Sequence, residues 1–166
     1  MPYLNLETKM QEKITEFVND TFKNIFNIPF SIINGNLKEY KKNKLPNTGG
    51  IYFIYCDRLG LSYIGMTESN VTNRFKAHIG RADEGKDYDK RNPHKVWDYF
   101  HDWCKTENYS LRENSKYIFV SFENNITKKQ LEFFESGVIF EFTPLLNSNC
   151  FELFGYSKLQ QMRLYK

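Results

Sequence analysis

The chain has 166 residues, 40% of them hydrophobic and 17% aromatic, which is enough for one domain with a buried core and excludes a disordered chain. A formal charge of +3 is too small to indicate nucleic acid without further signs. No apolar run reaches the length of a membrane span, no basic-then-apolar leader is visible, and Cys56, Cys104 and Cys150 make no Cys-x-x-Cys pair. The cytoplasm is therefore the expected location, with no membrane partner.

Residues 7–27 carry Met10, Ile14, Phe17, Val18, Ile25 and Phe26 at helical spacing, which predicts an amphipathic packing helix. From Pro29 to Gly50 the chain reads as irregular. Lys38, Lys41, Lys42 and Lys44 cluster there with only Glu39 opposing them, as a solvated face or a phosphate contact. Residues 50–65 then form two β-rich runs around Asp57-Arg58-Leu59-Gly60, the pattern of a hairpin. A loop of 57–60 or 58–59 pairs Ile54 with Tyr63 and Cys56 with Leu61. Tyr52, Ile54, Leu61 and Tyr63 would share one face. Gly50 and Gly65 would leave bare backbone for a ligand at the open end.

A helix is expected from Asn70 or Thr72, with Gly80 as a stop and Val71, Phe75 and Ile79 as its buried stripe. Arg74 and His78, four apart, stack on the adjoining face and suit a phosphate. Residues 81–92 are dense in charge and read as an exposed loop. Asn92-Pro93 caps a further helix with Val96, Trp97, Phe100, Trp103 and Cys104 inside. His94 and His101 lie seven apart on it, but lack the other ligands that a metal would want. Residues 116–122 read as a third strand. Thr127 and Gln130 form a capping box that opens the next helix. Glu135 falls within roughly 35° of the centre of its apolar stripe, where a carboxylate carries a desolvation cost. Thr143-Pro144 ends that helix, and Asn147 follows.

Gly50-Ile51-Tyr52 and Tyr63-Ile64-Gly65 are separated by ten residues. Arg74 and His78 come next, then Glu135, and then Pro144 and Asn147. In words, order and spacing this resembles the GIY-YIG nuclease family, and most of all its compact type II restriction endonucleases. The resemblance covers about residues 49–147. It implies an α+β fold with a small three-stranded antiparallel sheet flanked by helices. Residues 1–48 would be an N-terminal helical extension with a basic linker, 81–95 a charged insertion, and 148–166 a tail packed on the domain.

The resemblance also implies the chemistry. The expected activity is metal-dependent hydrolysis of phosphodiesters in duplex DNA, with one Mg²⁺ (or Mn²⁺) per site. Glu135 would hold the metal, Arg74 a phosphate oxygen, and Tyr52 would take the proton of the attacking water, as a phenolate favoured by metal and arginine. Tyr63 would orient the phosphate or Tyr52, and His78 would help in proton transfer or bind phosphate. Asn147 would clamp backbone. Lys41, Lys42, Lys44, Lys76, Arg81 and Lys95 are the expected DNA contacts. A homodimer and a cognate methyltransferase follow for a restriction enzyme, and the lack of an appended binding domain favours that type. The competing readings are a homing-type or repair nuclease with the same chemistry, and an inactive relative that only binds nucleic acid. Glu39-Tyr40-Lys41 is the sole trace of the other common nuclease motif and lacks its neighbouring acid.

Overall fold

The computed structural model of the protein describes residues 2–21, 27–86, 95–123 and 126–147. In chain order the elements are α1 (Pro2–Val18), β1 (Phe30–Asn36), a 3-10 turn (Leu37–Glu39), β2 (Gly50–Cys56), β3 (Gly60–Thr67), α2 (Val71–Glu84), α3 (Lys95–Glu107), β4 (Ser115–Phe122) and α4 (Lys128–Phe142). The architecture is α+β, as expected, but the antiparallel sheet has four strands in the order β1-β4-β2-β3, not three.

The two central strands, β2 and β4, are buried on both faces, so their sequences are nearly continuous apolar runs. Alternation along them divides the core. Tyr52, Ile54, Cys56, Tyr117 and Phe119 point into a cluster with α2 and α3. Ile51, Phe53, Ile118, Val120 and Phe122 point into a second cluster with Ile14 and Val18 of α1 and Leu131, Phe134 and Val138 of α4.

The extra strand is β1, in the stretch read as irregular. It runs antiparallel to β4 from Phe30↔Phe122 to Asn36↔Lys116. Asn34-Gly35-Asn36 carries turn-type residues, which hide a strand from local reading. Without β1 the outer backbone groups of β4 would lack partners, and that need overrides propensity. Glycine is also required at 35, because a Cβ would come within 2.9 Å of the Tyr117 hydroxyl and 2.8 Å of Asn43 Nδ2.

Three local expectations are corrected. The hairpin loop is 57–59, with Gly60 at φ 75° opposite Cys56, and a bulge shifts the register between Ile54 and Tyr55. Ile54 still pairs with Tyr63, but Leu61 pairs with Tyr55 and turns into the α1–α4 cluster. Gly80 does not stop α2; it is buried inside the helix, and Gly85 ends it at φ 64° with its N–H on Gly80 O. Residues 81–84 are thus helical, and Asp83 accepts bonds from Leu111 N (2.7 Å), Arg112 N (3.1 Å) and Ser110 Oγ (3.0 Å), tying α2 to the turn after α3. α1 begins at Pro2 rather than residue 7 and ends at Val18. Ile25, Phe26, Asn92, Pro93, His94, the side chains of Met10 and Lys95, and the tail 148–166 lie outside the described residues.

Other expectations hold. Val71, Phe75 and Ile79 are buried, and so are Val96, Trp97, Phe100, Trp103 and Cys104. Thr127 and Gln130 form the reciprocal capping box of α4. No helix among the described residues is long and apolar enough to cross a membrane.

Candidate active site

The site assembles where four elements meet at one end of β2 and β3. Tyr52 is 2% exposed, because its strand is central and α2 covers that face. Its hydroxyl lies 2.7 Å from His78 Nε2, and its ring stands edge-on to Phe75 at 5.5 Å. Tyr63 on β3 is half-buried, with ring centroids 6.1 Å from Tyr52 and 4.6 Å from His78. The two phenols therefore sit side by side, as the register Tyr52↔Gly65 requires.

The glycines serve this packing rather than ligand approach. A Cβ on Gly65 would run into the Tyr52 hydroxyl and come 2.9 Å from Tyr63 Cε1. One on Gly50 would meet Val120 O and the Phe119 ring. The bare backbone that looked like an opening for substrate is filled by aromatic rings.

α2 contributes two groups with different fates. His78 is 6% exposed and faces inward, whereas Arg74, one turn earlier, is exposed. Arg74 borders an open cleft with Thr67, Glu68, Ser69, Asn70, Asn73 and Ala77. Asn70 caps the helix there by accepting from Asn73 N at 3.2 Å, and Thr67 Oγ1 accepts from Asn70 N at 3.0 Å. Sequence reading passed over this cleft, since short polar residues before a helix read only as a cap.

Glu135 comes from α4, on the opposite side of the sheet. It reaches the site around the outer edge of β3, where its carboxylate accepts from the Met66 backbone N–H. The same edge is held further along. Asn147 Oδ1 accepts from Ile64 N at 2.9 Å, Asn147 Nδ2 donates to Ile64 O at 2.8 Å, and Leu146 N donates to Ser62 O at 2.6 Å. The side chain of Asn147 thus acts as one residue of a fifth strand. Asn147→Ala would strip partners from two buried backbone groups, and about 2–4 kcal/mol of stability should be lost. Urea unfolding checks this, and a loss below about 0.5 kcal/mol would show that the clamp carries little.

The charges are coupled. Burial pushes the Tyr52 phenol well above its ordinary pKa; Tyr63 and Glu135 push the same way, and the Arg74 guanidinium pulls against them. Tyr63 is pushed up to about 12, mainly by burial and then by Glu135, with Arg74 and Arg81 opposing. Burial also raises Glu135, against the Met66 hydrogen bond and Arg74. All three groups thus feel the charge of Arg74, and both phenols feel Glu135.

The expected DNA contacts are distributed around this centre. Lys41, Lys42 and Lys44 are exposed on the loop before β2. That loop is anchored by Tyr40, whose ring stands edge-on to Phe75 at 6.0 Å, and by Asn43 Nδ2 donating to the Tyr117 hydroxyl at 2.7 Å. Lys76 is exposed on α2. Arg81 is half-buried, and its charge acts on Tyr63. His101 is held by Ala82 O, 2.7 Å from its Nδ1.

For a metal, Glu135 offers one carboxylate, and Glu68 lines the cleft beside Arg74. Among the described residues no three of His, Cys, Asp and Glu come together. A closed cage for a soft metal is not built there. A hard cation such as Mg²⁺ keeps several waters and takes one or two carboxylates plus substrate phosphate, and a half-buried Glu135 whose charge interacts with Arg74 fits that habit.

Two phenols, a guanidinium, an imidazole and a carboxylate are thus linked by hydrogen bonding, ring contact and charge. The family model of the GIY-YIG catalytic domain matches residues 48–139, more than half of the chain, and the protein belongs to that family, a superfamily of nucleases. The matched span contains Tyr52, Tyr63, Arg74, His78 and Glu135, and Asn147 lies past its end. Neither the curated proteins nor the solved structures compared with the chain match it.

Proposed function

We propose that the protein is a divalent-metal-dependent endonuclease of duplex DNA, site-specific and of restriction type. The observation that carries the chemistry is the convergence of Tyr52, Tyr63, Arg74, His78 and Glu135, from β2, β3, α2 and α4, with mutual electrostatic coupling.

A phosphodiester anion repels a nucleophile, so positive charge must cover it. Arg74, exposed at the cleft, binds a non-bridging oxygen and holds it most tightly as charge builds in the transition state. Glu135 would hold the metal, which when bound neutralises charge on the phosphate and the leaving oxygen. Burial makes a free Tyr52 phenolate costly, which counts against Tyr52 as a preformed anionic base. Instead, Tyr52 takes the proton of the attacking water as its own passes to His78 Nε2, 2.7 Å away. His78 then acts as the Nδ1–H tautomer, with Nε2 accepting from the Tyr52 hydroxyl. Tyr63 orients the phosphate and the Tyr52 hydroxyl, and Asn147 holds the Ile64 backbone between Tyr63 and Gly65.

What supports sequence specificity is the chain built around the matched domain. The lysine loop and β1 precede β2, and the lysines stand free of the core. Two strands of a duplex call for two sites related by two-fold symmetry. Phe133 and Phe140, exposed on the outer side of α4, offer an apolar surface for such a pairing. The restriction role would place a methyltransferase of the same specificity in the same cytoplasm.

Purified protein incubated with plasmid and Mg²⁺ tests this. Discrete fragments that vanish with EDTA are expected. Smeared or nicked products would shift the reading to a repair or homing-type enzyme, and retarded but intact DNA would reduce the protein to a binding relative.

A further inference from the structure

We infer that Trp97, outside the residues assigned above, is a positioning residue for the Tyr52–His78 proton relay; the inference rests on the nuclease reading. Trp97 is 3% exposed in the first turns of α3. Its indole stacks on the His78 imidazole, with centroids 4.6 Å apart and planes 22° apart. It also stands edge-on to Tyr63 at 5.3 Å, and Tyr63 lies 4.6 Å from His78. The three rings form a closed triangle, and Tyr52 is joined to it by its 2.7 Å hydrogen bond to Nε2.

The physical need is specific. Rotation about the Cβ–Cγ bond of histidine is soft, since sp³–sp² torsions have broad minima. A modest rotation would carry Nε2 away from the Tyr52 oxygen and break the relay. A flat indole on the face of the ring, with Tyr63 closing the third side, leaves room for one ring plane. Among the described residues, Arg74, Arg81 and Glu135 are the charged groups that act on the two tyrosines. Trp97 is itself braced by Phe100, edge-on at 5.9 Å, which stacks in turn on Trp103. The wedge is therefore part of a packed row and not a loose surface ring.

The test is a double-mutant cycle read by single-turnover cleavage of plasmid, with DNA affinity measured separately. Trp97→Leu should slow cleavage by about 10–100-fold while DNA affinity stays within about twofold, since misplacing a reacting group by about 1 Å has effects of that size. Trp97→Phe, which keeps a flat ring, should recover most of the loss. In a His78→Ala background, Trp97→Leu should slow cleavage no further, because its target is gone. A loss of equal size in both backgrounds would overturn the positioning role and leave Trp97 as core packing. If the leucine variant shows no cooperative melting, the cycle is run with Trp97→Phe, with a few-fold loss expected only when His78 is present. A wild-type protein that cuts no DNA would overturn the nuclease reading and this inference with it. Cutting with an additive loss would overturn this inference alone.

Discussion

Glu135→Gln should abolish cleavage, by about three orders of magnitude or more, and at the same time stabilise the fold at neutral pH. The first effect follows from removing the carboxylate proposed to hold the cation. The amide is nearly isosteric, its oxygen still accepts from Met66 N–H, and DNA binding by the lysine loop should persist. The second effect follows from linkage. Burial raises the pKa of Glu135, so the folded protein holds this proton more tightly than the unfolded chain does. Ionising Glu135 therefore destabilises the folded state. That cost is absent below the unfolded value of about 4.3 and fully present above the raised folded one. The melting temperature of the variant should exceed that of the wild type at pH 8, and the difference should shrink to nothing as pH falls toward about 4. Mg²⁺ should raise the melting temperature of the wild type and not of the variant. Scanning calorimetry at several pH values, with and without Mg²⁺, measures both. A variant that cuts at the wild-type rate would remove Glu135 from the metal, and a variant less stable at pH 8 would reverse the sign argued here.

Arg74→Ala should lower the turnover number by about 100- to 1,000-fold with little change in KM for DNA. The guanidinium is exposed at the cleft, and its charge pulls down Tyr52, Tyr63 and Glu135 alike. Removing it disfavours every anionic form at the centre. The acid limb of the rate profile, where Glu135 must be ionised to ligate metal, should accordingly move to higher pH. Arg74→Lys restores the charge but not the fork that meets two phosphate oxygens, and should recover only part of the rate and most of the pH profile. Steady-state kinetics across pH 5–9 would decide the matter. An unchanged profile in Arg74→Ala would mean that the arginine acts on the phosphate alone, and an unchanged rate would take it out of the site.

The local pattern of residues was enough for the hairpin around Asp57–Gly60, the stripe of Val71, Phe75 and Ile79, the capping box at Thr127, and the oddity of Glu135 in an apolar stripe. Each is a matter of period, punctuation or charge within one element, and neighbours along the chain settle such matters. The order of motifs then pointed to the nuclease family. What no local pattern contains is which face of the sheet each helix covers and how strand edges are completed. β1 exists because β4 has backbone groups to satisfy, although Asn34-Gly35-Asn36 reads as a turn. A single bulge turned Leu61 to the other core. Glu135 meets the tyrosines only because α4, from the far side of the sheet, passes the outer edge of β3, and Trp97 meets His78 only because α3 crosses α2 at one register. Those contacts join residues far apart in the chain, 83 positions in the bonds of Asn147 to Ile64, and are set by packing complementarity that arises only once the layers are assembled.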